Sequence, residues 1–354
     1  MAGIFYGTTN SGIDGSNAQI GKLETPLKMI IQHESDYLAT KKGACDYLFN
    51  VQKSNNFGET VVGMDEFNTF DAVEEGNGAP NDEMGERYKK FIEHIQFMKE
   101  FTITANMMED SKTGVAAEAR RRAENFVRAY YKTRNKICAL ALANGTATTM
   151  DFGGKNDIDL KTSDGNPLFY KHTITSRRGK SANNYNYYWG SALGSASEVE
   201  AALGKIAVAL RNMKDENGDP LGYTADTIIL PGNRGAAESF VKKALGTDAA
   251  TGSGNNDINI QYGNWNLVIL PEWQSTDDRM IVMSSEANKN LAGNMFFNRI
   301  PLTVSAWVDK HTGNYIWNGR CRFGLGFATY KHAMLVVDAD SDPTSGAAAA
   351  LSSL

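Results

Sequence analysis

Apolar positions in this chain change their period several times, and each change marks an element. Between Glu109-Asp110-Ser111 and Asn144-Gly145, small and apolar residues fall at Ala119, Ala123, Phe126, Tyr130, Ile137, Leu140 and Ala141. Spacings of three, four and seven trace one face of a helix, with acids suited to its positive end and Asn-Gly to its stop. About thirty residues at about 1.5 Å each predict a rod on the order of 45 Å, long enough to be a spine. A second helical pattern, Val199, Leu203, Ile206, Ala207 and Leu210, covers about residues 197–213, and a third covers 234–245. Continuous apolar runs at 227–231, 265–271 and 279–283 predict short buried strands. Strand patterns return at 302–307, 314–317, 320–327 and 333–337.

The first third is different. Residues 1–21 are rich in Gly, Ser, Thr and Asn and predict an extended arm without a core face. Leu27, Ile30, Ile31, Tyr37 and Leu38, then Tyr47, Leu48 and Phe49, predict one or two short helices. Residues 54–86 carry Glu59, Asp65, Glu66, Asp71, Glu74, Glu75, Asp82, Glu83 and Glu86 without a lysine or arginine. Val61, Val62, Met64, Phe67, Phe70 and Val73 are spaced for an extended ribbon that turns near Gly76-Asn77-Gly78-Ala79-Pro80. Residues 88–103 predict a returning strand or a strand-helix mixture. The polar side of the spine carries Arg120, Arg121, Arg122, Arg128, Lys132, Arg134 and Lys136 against Glu118 and Glu124. For an ordinary protein that is a solvated face; beside an acidic ribbon, a docking surface gains weight.

Composition narrows the function classes. The chain has 354 residues, 42% of them hydrophobic, enough for a sizeable core in two or three subdomains. A formal net charge of −5 gives no long-range attraction to nucleic acid. Cys45, Cys138 and Cys321 form no CxxC pair and are expected as free core thiols. No signal-peptide pattern opens the chain, and no apolar run approaches the roughly 20 residues of a membrane helix. His33, His94, His172, His311 and His332 show no metal-ligand spacing, and nucleophile-elbow, dinucleotide and phosphate-loop motifs lack their strand-to-helix carrier. Asp157-Ile158-Asp159 with Asp164-Gly165 faintly suggests a calcium loop without its closing Glu. No catalytic, cofactor or metal residue is nominated.

The order of arm, acidic ribbon, basic spine, helix-and-strand unit and closing strands resembles the Hong Kong 97-type fold of tailed-phage major capsid proteins. Local segments look like Mu-like major head subunits: Gly63-Met64-Asp65-Glu66-Phe67, Asp82-Glu83-Met84, Glu93-His94, Phe101-Thr102-Ile103 and Met108-Glu109-Asp110. So do Asp164-Gly165-Asn166-Pro167-Leu168-Phe169 with His172, residues 211–221, and Arg322-Phe323-Gly324-Leu325-Gly326. The resemblance covers about residues 50–338. It implies an α+β fold with an N-terminal arm and short helices (1–53), an extended E-loop with its base strands (54–105), and a P-domain spine helix (106–146). A connector (147–196), an axial A-domain (197–298), closing P-domain strands (299–338) and a C-terminal tail (339–354) would follow.

The implied function is that of a shell subunit, not an enzyme. Copies would form pentamers and hexamers of an icosahedral virion shell, assembled in the host cytoplasm around double-stranded DNA without reading its sequence. A separate scaffolding protein and a portal are the other expected partners, and whether a decoration protein binds is left open by the sequence; no cofactor and no membrane is expected. Asp65, Glu66, Glu74 and Glu75 would approach Arg120, Arg121 and Arg128 of a neighbouring copy. The glycine-rich segment 251–254 would cap the axial unit near the capsomer centre, or simply form a loop. An encapsulin-like compartment on the same fold and a soluble α/β enzyme are the alternatives.

Overall fold

A computed structural model describes residues 17–64, 72–78, 86–110, 114–175, 181–246, 259 and 261–354. Helix α1 (Asn17–Thr40) begins inside the segment expected as an extended arm and runs through Gly21 and Pro26, residues that usually weaken a helix interior. Tertiary packing supplies the reason. Leu27 and Ile31 are buried in one cluster with Ala119, Ala123, Phe126 and Val127 of the spine. Helix α2 (Ala44–Leu48) then buries Cys45 and Leu48, and β1 (Asn50–Lys53) follows. The acidic ribbon is a hairpin of β2 (Gly58–Met64) and β3 (Glu86–Glu93), paired antiparallel from Gly58 opposite Glu93 to Met64 opposite Glu86. Its continuation, β4 (Ile95–Ile103), is all strand.

Helix α3 (Ala105–Asp110) precedes the spine, α4 (Gly114–Ala143), which has 30 residues. Glu109 and Asp110 therefore close α3 instead of opening the spine, whose first turn holds no acid. Two small hairpins fill the connector: β5 (Thr149–Phe152) with β6 (Lys155–Asp159), and β7 (Lys171–Thr175) with β8 (Ser181–Tyr185).

The second unit uses β9 (Tyr187–Trp189), α5 (Ala196–Arg211), β10 (Thr227–Pro231), α6 (Gly235–Gly246), β11 (Asn266–Leu270), β12 (Arg279–Met283) and α7 (Ser285–Asn290). Ser195 caps α5 by accepting from the Glu198 amide, and Val199, Ala202, Leu203, Ile206 and Leu210 turn inward. Each such Val, Leu or Ile contributes about 1.5–3 kcal/mol by leaving water. The chain closes with β13 (Asn294–Val308), β14 (Tyr315–Phe327), β15 (Ala333–Val337) and β16 (Ala349–Ala350). Expected strands at 314–317 and 320–327 merge into β14, and β13 begins eight residues before the pattern that announced it.

Two sheets organise the molecule. One has the order β1-β13-β14-β4, the other β11-β10-β12-β15-β9-β16. Every residue of β10 and β15 is buried, matching their uninterrupted apolar runs. The segment expected as a tail docks: Ala349 and Ala350 pair with β9, Leu351 is buried, and Lys205 Nζ donates to the Leu351 carbonyl at 3.0 Å. Its alanines and serines carry no periodic signal, because a two-residue edge strand is too short to show one. Spine and first sheet meet closely. A side chain at Gly319 on β14 would stand 2.2 Å from Phe126 Cζ, so glycine there lets the Phe126 ring press on the strand.

Candidate intersubunit surface

The hairpin β2–β3 is the candidate site, and its root is heavily braced. Ile92 is buried with Met295 and Phe297, and Val61 packs against them. The root lies on the glycines of β14. A side chain at Gly324 would stand 2.5 Å from the Glu93 carbonyl oxygen, and one at Gly326 would stand 3.0 Å from Ile92. The segment 322–326, noted in the sequence, is thus a seat for the hairpin.

Polar contacts lock that seat. Arg322 donates to the His94 carbonyl at 3.4 Å and the Phe57 carbonyl at 3.5 Å, with its guanidinium 5.3 Å from the Phe57 ring centroid. His94 is buried, with Nδ1 at 3.1 Å from the Asn56 carbonyl; burial pulls its pKa down. Ser54 Oγ donates to Glu59 at 2.6 Å, and that bond holds the Glu59 carboxyl below its ordinary pKa. Lys90, its side chain 6% exposed, donates to Asp159 of β6 at 2.6 Å, and Lys155 stands 3.8 Å from Glu93. The β5–β6 hairpin therefore clamps the root from the side. Lys90 was not singled out from sequence, while Asp159 was noted only in a faint calcium pattern and Arg322 only in the 322–326 segment; the abrupt Lys89-Lys90 after a lysine-free stretch was the available signal.

At the root Phe57 and Phe91 are still 64% and 51% exposed, and further out Val62 and Val73 are 39% and 44% exposed. At the tip the Asn77 amide donates to the Glu74 carbonyl at 3.1 Å and Gly76 has a φ of 95°. Glu74 and Glu75 are exposed and have no basic partner among the described residues. Asp65 and Glu66 lie outside the described residues, as does the segment 251–254.

The spine's basic face divides into two groups. Arg120 pairs with Glu124 at 2.9 Å, Arg122 with Glu118 at 2.9 Å, Arg128 with Glu34 at 2.8 Å and Arg134 with Asp46 at 2.6 Å. Two of the three expected docking arginines, Arg120 and Arg128, thus already have partners within the chain. Arg121, Lys132 and Lys136 are exposed and have no acidic partner among the described residues. Among the described residues, no ion pair joins Glu74 or Glu75 to this face.

Two of the three acids of the faint calcium pattern, Asp159 and Asp164, have side-chain partners within the chain. Asp159 holds Lys90, and Asp164 Oδ2 lies 2.6 Å from Nδ1 of fully buried His172. Burial pushes the Asp164 acid up, but the bonds from His172, Thr162 and Asn166 outweigh this and hold it well below the carboxylate range. The His172 ring stacks on Tyr330 at 3.5 Å, and Leu168 and Phe169 are buried beside it. The Asp164 to His172 motif is a staple that joins connector and body.

No curated protein sequence matches the chain significantly. Three solved structures share its fold with TM-scores of 0.50. The capsid of Myoviridae phage XM1 is 12% identical, over 84% of this chain and 92% of that one. The capsid of cyanophage P-SCSP1u is 10% identical, over 85% and 89%. The mature capsid of bacteriophage PhiM1 is 11% identical, over 97% and 93%. These likenesses show the fold, and it is the Hong Kong 97-type fold expected above. Residues 90–337 match the family described as phage capsid protein, which is well over half the chain, and so this chain belongs to the phage capsid protein family.

Proposed function

We propose that this capsid protein builds its shell by laying the β2–β3 hairpin of one copy over the α4 face of the next. The observation that carries this reading is a hairpin braced at its root that carries exposed apolar residues along its length. A two-stranded hairpin alone is marginally stable in water. Its exposed Phe57, Val62, Val73 and Phe91 call for a partner surface. Glu74 and Glu75 at the tip suit Arg121, Lys132 and Lys136, the cations left over on the spine. Asp65 and Glu66 belong to the same acidic ribbon, and Arg120 and Arg128 would join the contact by sharing their charge with Glu124 and Glu34.

Each exposed pair contributes only about 0–1 kcal/mol. Charge would therefore set register, with apolar cover supplying strength. Pentamers and hexamers closing an icosahedral virion shell around double-stranded DNA follow from that repeated contact. The unit built on β10 and β15 would be the axial A-domain, and the β13–β14 sheet with α4 the peripheral P-domain. A separate scaffolding protein and a portal are the further partners of this reading, a decoration protein is an optional one, and the host cytoplasm is where the shell would assemble.

The test is charge reversal. We expect Glu74→Lys with Glu75→Lys, and separately Arg121→Glu, to leave the unfolding temperature unchanged and to abolish shells seen by negative-stain microscopy. Normal shells from both variants would refute the docking; normal shells from Arg121→Glu that retain DNA poorly would assign the basic face to the genome instead.

A further inference from the structure

Four asparagines in this chain are followed directly by glycine: Asn77-Gly78, Asn144-Gly145, Asn217-Gly218 and Asn318-Gly319. In such a pair the glycine nitrogen can attack the side-chain amide carbon of the asparagine, because glycine puts no Cβ in the way and adopts the backbone turn the approach requires. The attack needs a nitrogen that is not donating, a side chain free to swing and a backbone free to turn. The fold withholds these from three of the pairs.

Asn144-Gly145 ends the spine. The Gly145 amide donates to the Leu142 carbonyl at 3.1 Å, Asn144 Nδ2 donates to the Leu140 carbonyl at 2.8 Å, and a side chain at Gly145 would stand 2.6 Å from Phe169. In Asn217-Gly218 the Gly218 amide donates to Asp215 Oδ1 at 2.7 Å. Asn318-Gly319 lies inside β14, paired with β13 on one side and β4 on the other, with Phe126 against Gly319.

Asn77-Gly78, at the hairpin tip, is different. Residues 72–78 are all exposed. A side chain at Gly78 would meet nothing within 4 Å. Among the described residues, neither the Gly78 nitrogen nor the Asn77 side chain has a hydrogen bond. The contact that shapes the turn, from the Asn77 amide to the Glu74 carbonyl at 3.1 Å, leaves both reacting groups open.

We propose that Asn77 is a self-modifying site, where the hairpin tip converts its own asparagine to aspartate and isoaspartate with water as the second reactant. The Gly78 nitrogen gives up its proton and bonds to Cγ of Asn77; the bond from Cγ to the side-chain nitrogen breaks, and that nitrogen takes the proton and leaves as ammonia. A five-membered imide remains. Water then opens it at one of its two carbonyls, giving aspartate at the side-chain carbonyl and isoaspartate at the backbone carbonyl. One water is consumed, one ammonia is released, and nothing is oxidised or reduced.

Each conversion adds a negative charge beside Glu74 and Glu75, and isoaspartate also lengthens the main chain at the turn by one methylene. The tip thereby records the age of the chain. The reaction belongs to the single chain and stands whether or not the hairpin docks on a neighbour.

Full-length protein would be kept in mildly alkaline buffer, which favours loss of the amide proton, beside the same protein unfolded in urea. Samples taken over time would be digested in mildly acidic buffer, where the imide forms slowly, and each change located by mass spectrometry with fragmentation. In the folded chain the Asn77 peptide should gain one mass unit and split into two chromatographic forms before the peptides of Asn144, Asn217 and Asn318 change. In urea all four should convert at comparable rates. Gly78→Ala should slow conversion at Asn77 several-fold and leave the other three as they were. An Asn77 that stays intact in the folded chain while it converts in urea, or earlier conversion at any of the other three pairs in the folded chain, would overturn the inference.

Discussion

The six-stranded sheet and the β2–β3 hairpin solve the same problem in opposite ways. Strands β10 and β15 are buried along their whole length and paired on both sides. Among the described residues strand β2 pairs with β3 alone, and its outer half carries exposed valine. One region completes its structure inside the chain; the other is firm where it meets the body and incomplete where it leaves it. Stability and assembly should therefore respond to different mutations.

The largest effect should come from the sheet. Ile229, fully buried in β10, becomes a cavity when changed to Ala, and the loss should be about 2–5 kcal/mol in a denaturant titration. Truncating an exposed hairpin residue such as Val62 should cost far less, and a comparable loss there would break the comparison.

Acidification comes next. His332 is fully buried, donates from Nε2 to Asn294 Oδ1 at 2.7 Å, and burial pulls its pKa down to about 3 from an ordinary value of 6.5. Between those values the unfolded chain binds a proton that the folded chain refuses. Stability is therefore full above about pH 6.5 and falls as pH drops from there towards 3. His94 shifts in the same direction; below about pH 4 the depressed Asp164 carboxyl adds to the loss. Unfolding temperature measured from about pH 8 down to 4 should be flat and then decline; a rise on acidification would contradict these burials.

A smaller effect sharpens the boundary at the hairpin root. Asp159→Ala leaves Lys90 buried without its carboxylate, which should cost about 1–3 kcal/mol and loosen the hairpin more than the sheets. Limited proteolysis should cut near residues 86–93 first; unchanged cleavage would mean that β5–β6 is no clamp.

Much of this was legible from sequence, for physical reasons. The spine, α5, β10, β12 and β15 have strong periods or unbroken apolar runs, because each is covered by the chain's own core. Helix α1 was hidden by Gly21 and Pro26, and packing on α4 overrides both. The docked end at 349–351 was hidden by small residues. Pairing at the site was least visible: Arg120 and Arg128 look free in a charge pattern, but Glu124 one turn on and Glu34 on a distant helix take them. The Asp164 to His172 segment was recognised by resemblance, and its burial now explains it as a staple.

The central claim is that the hairpin reaches full stability only against another copy. Hydrogen exchange at the amides of β2 and β3, compared between dissociated chain and assembled shells, measures this directly. Fast exchange in the chain and slow exchange in the shell are predicted, with β10 and β15 slow in both. Equal protection of the hairpin in the two states would contradict the account.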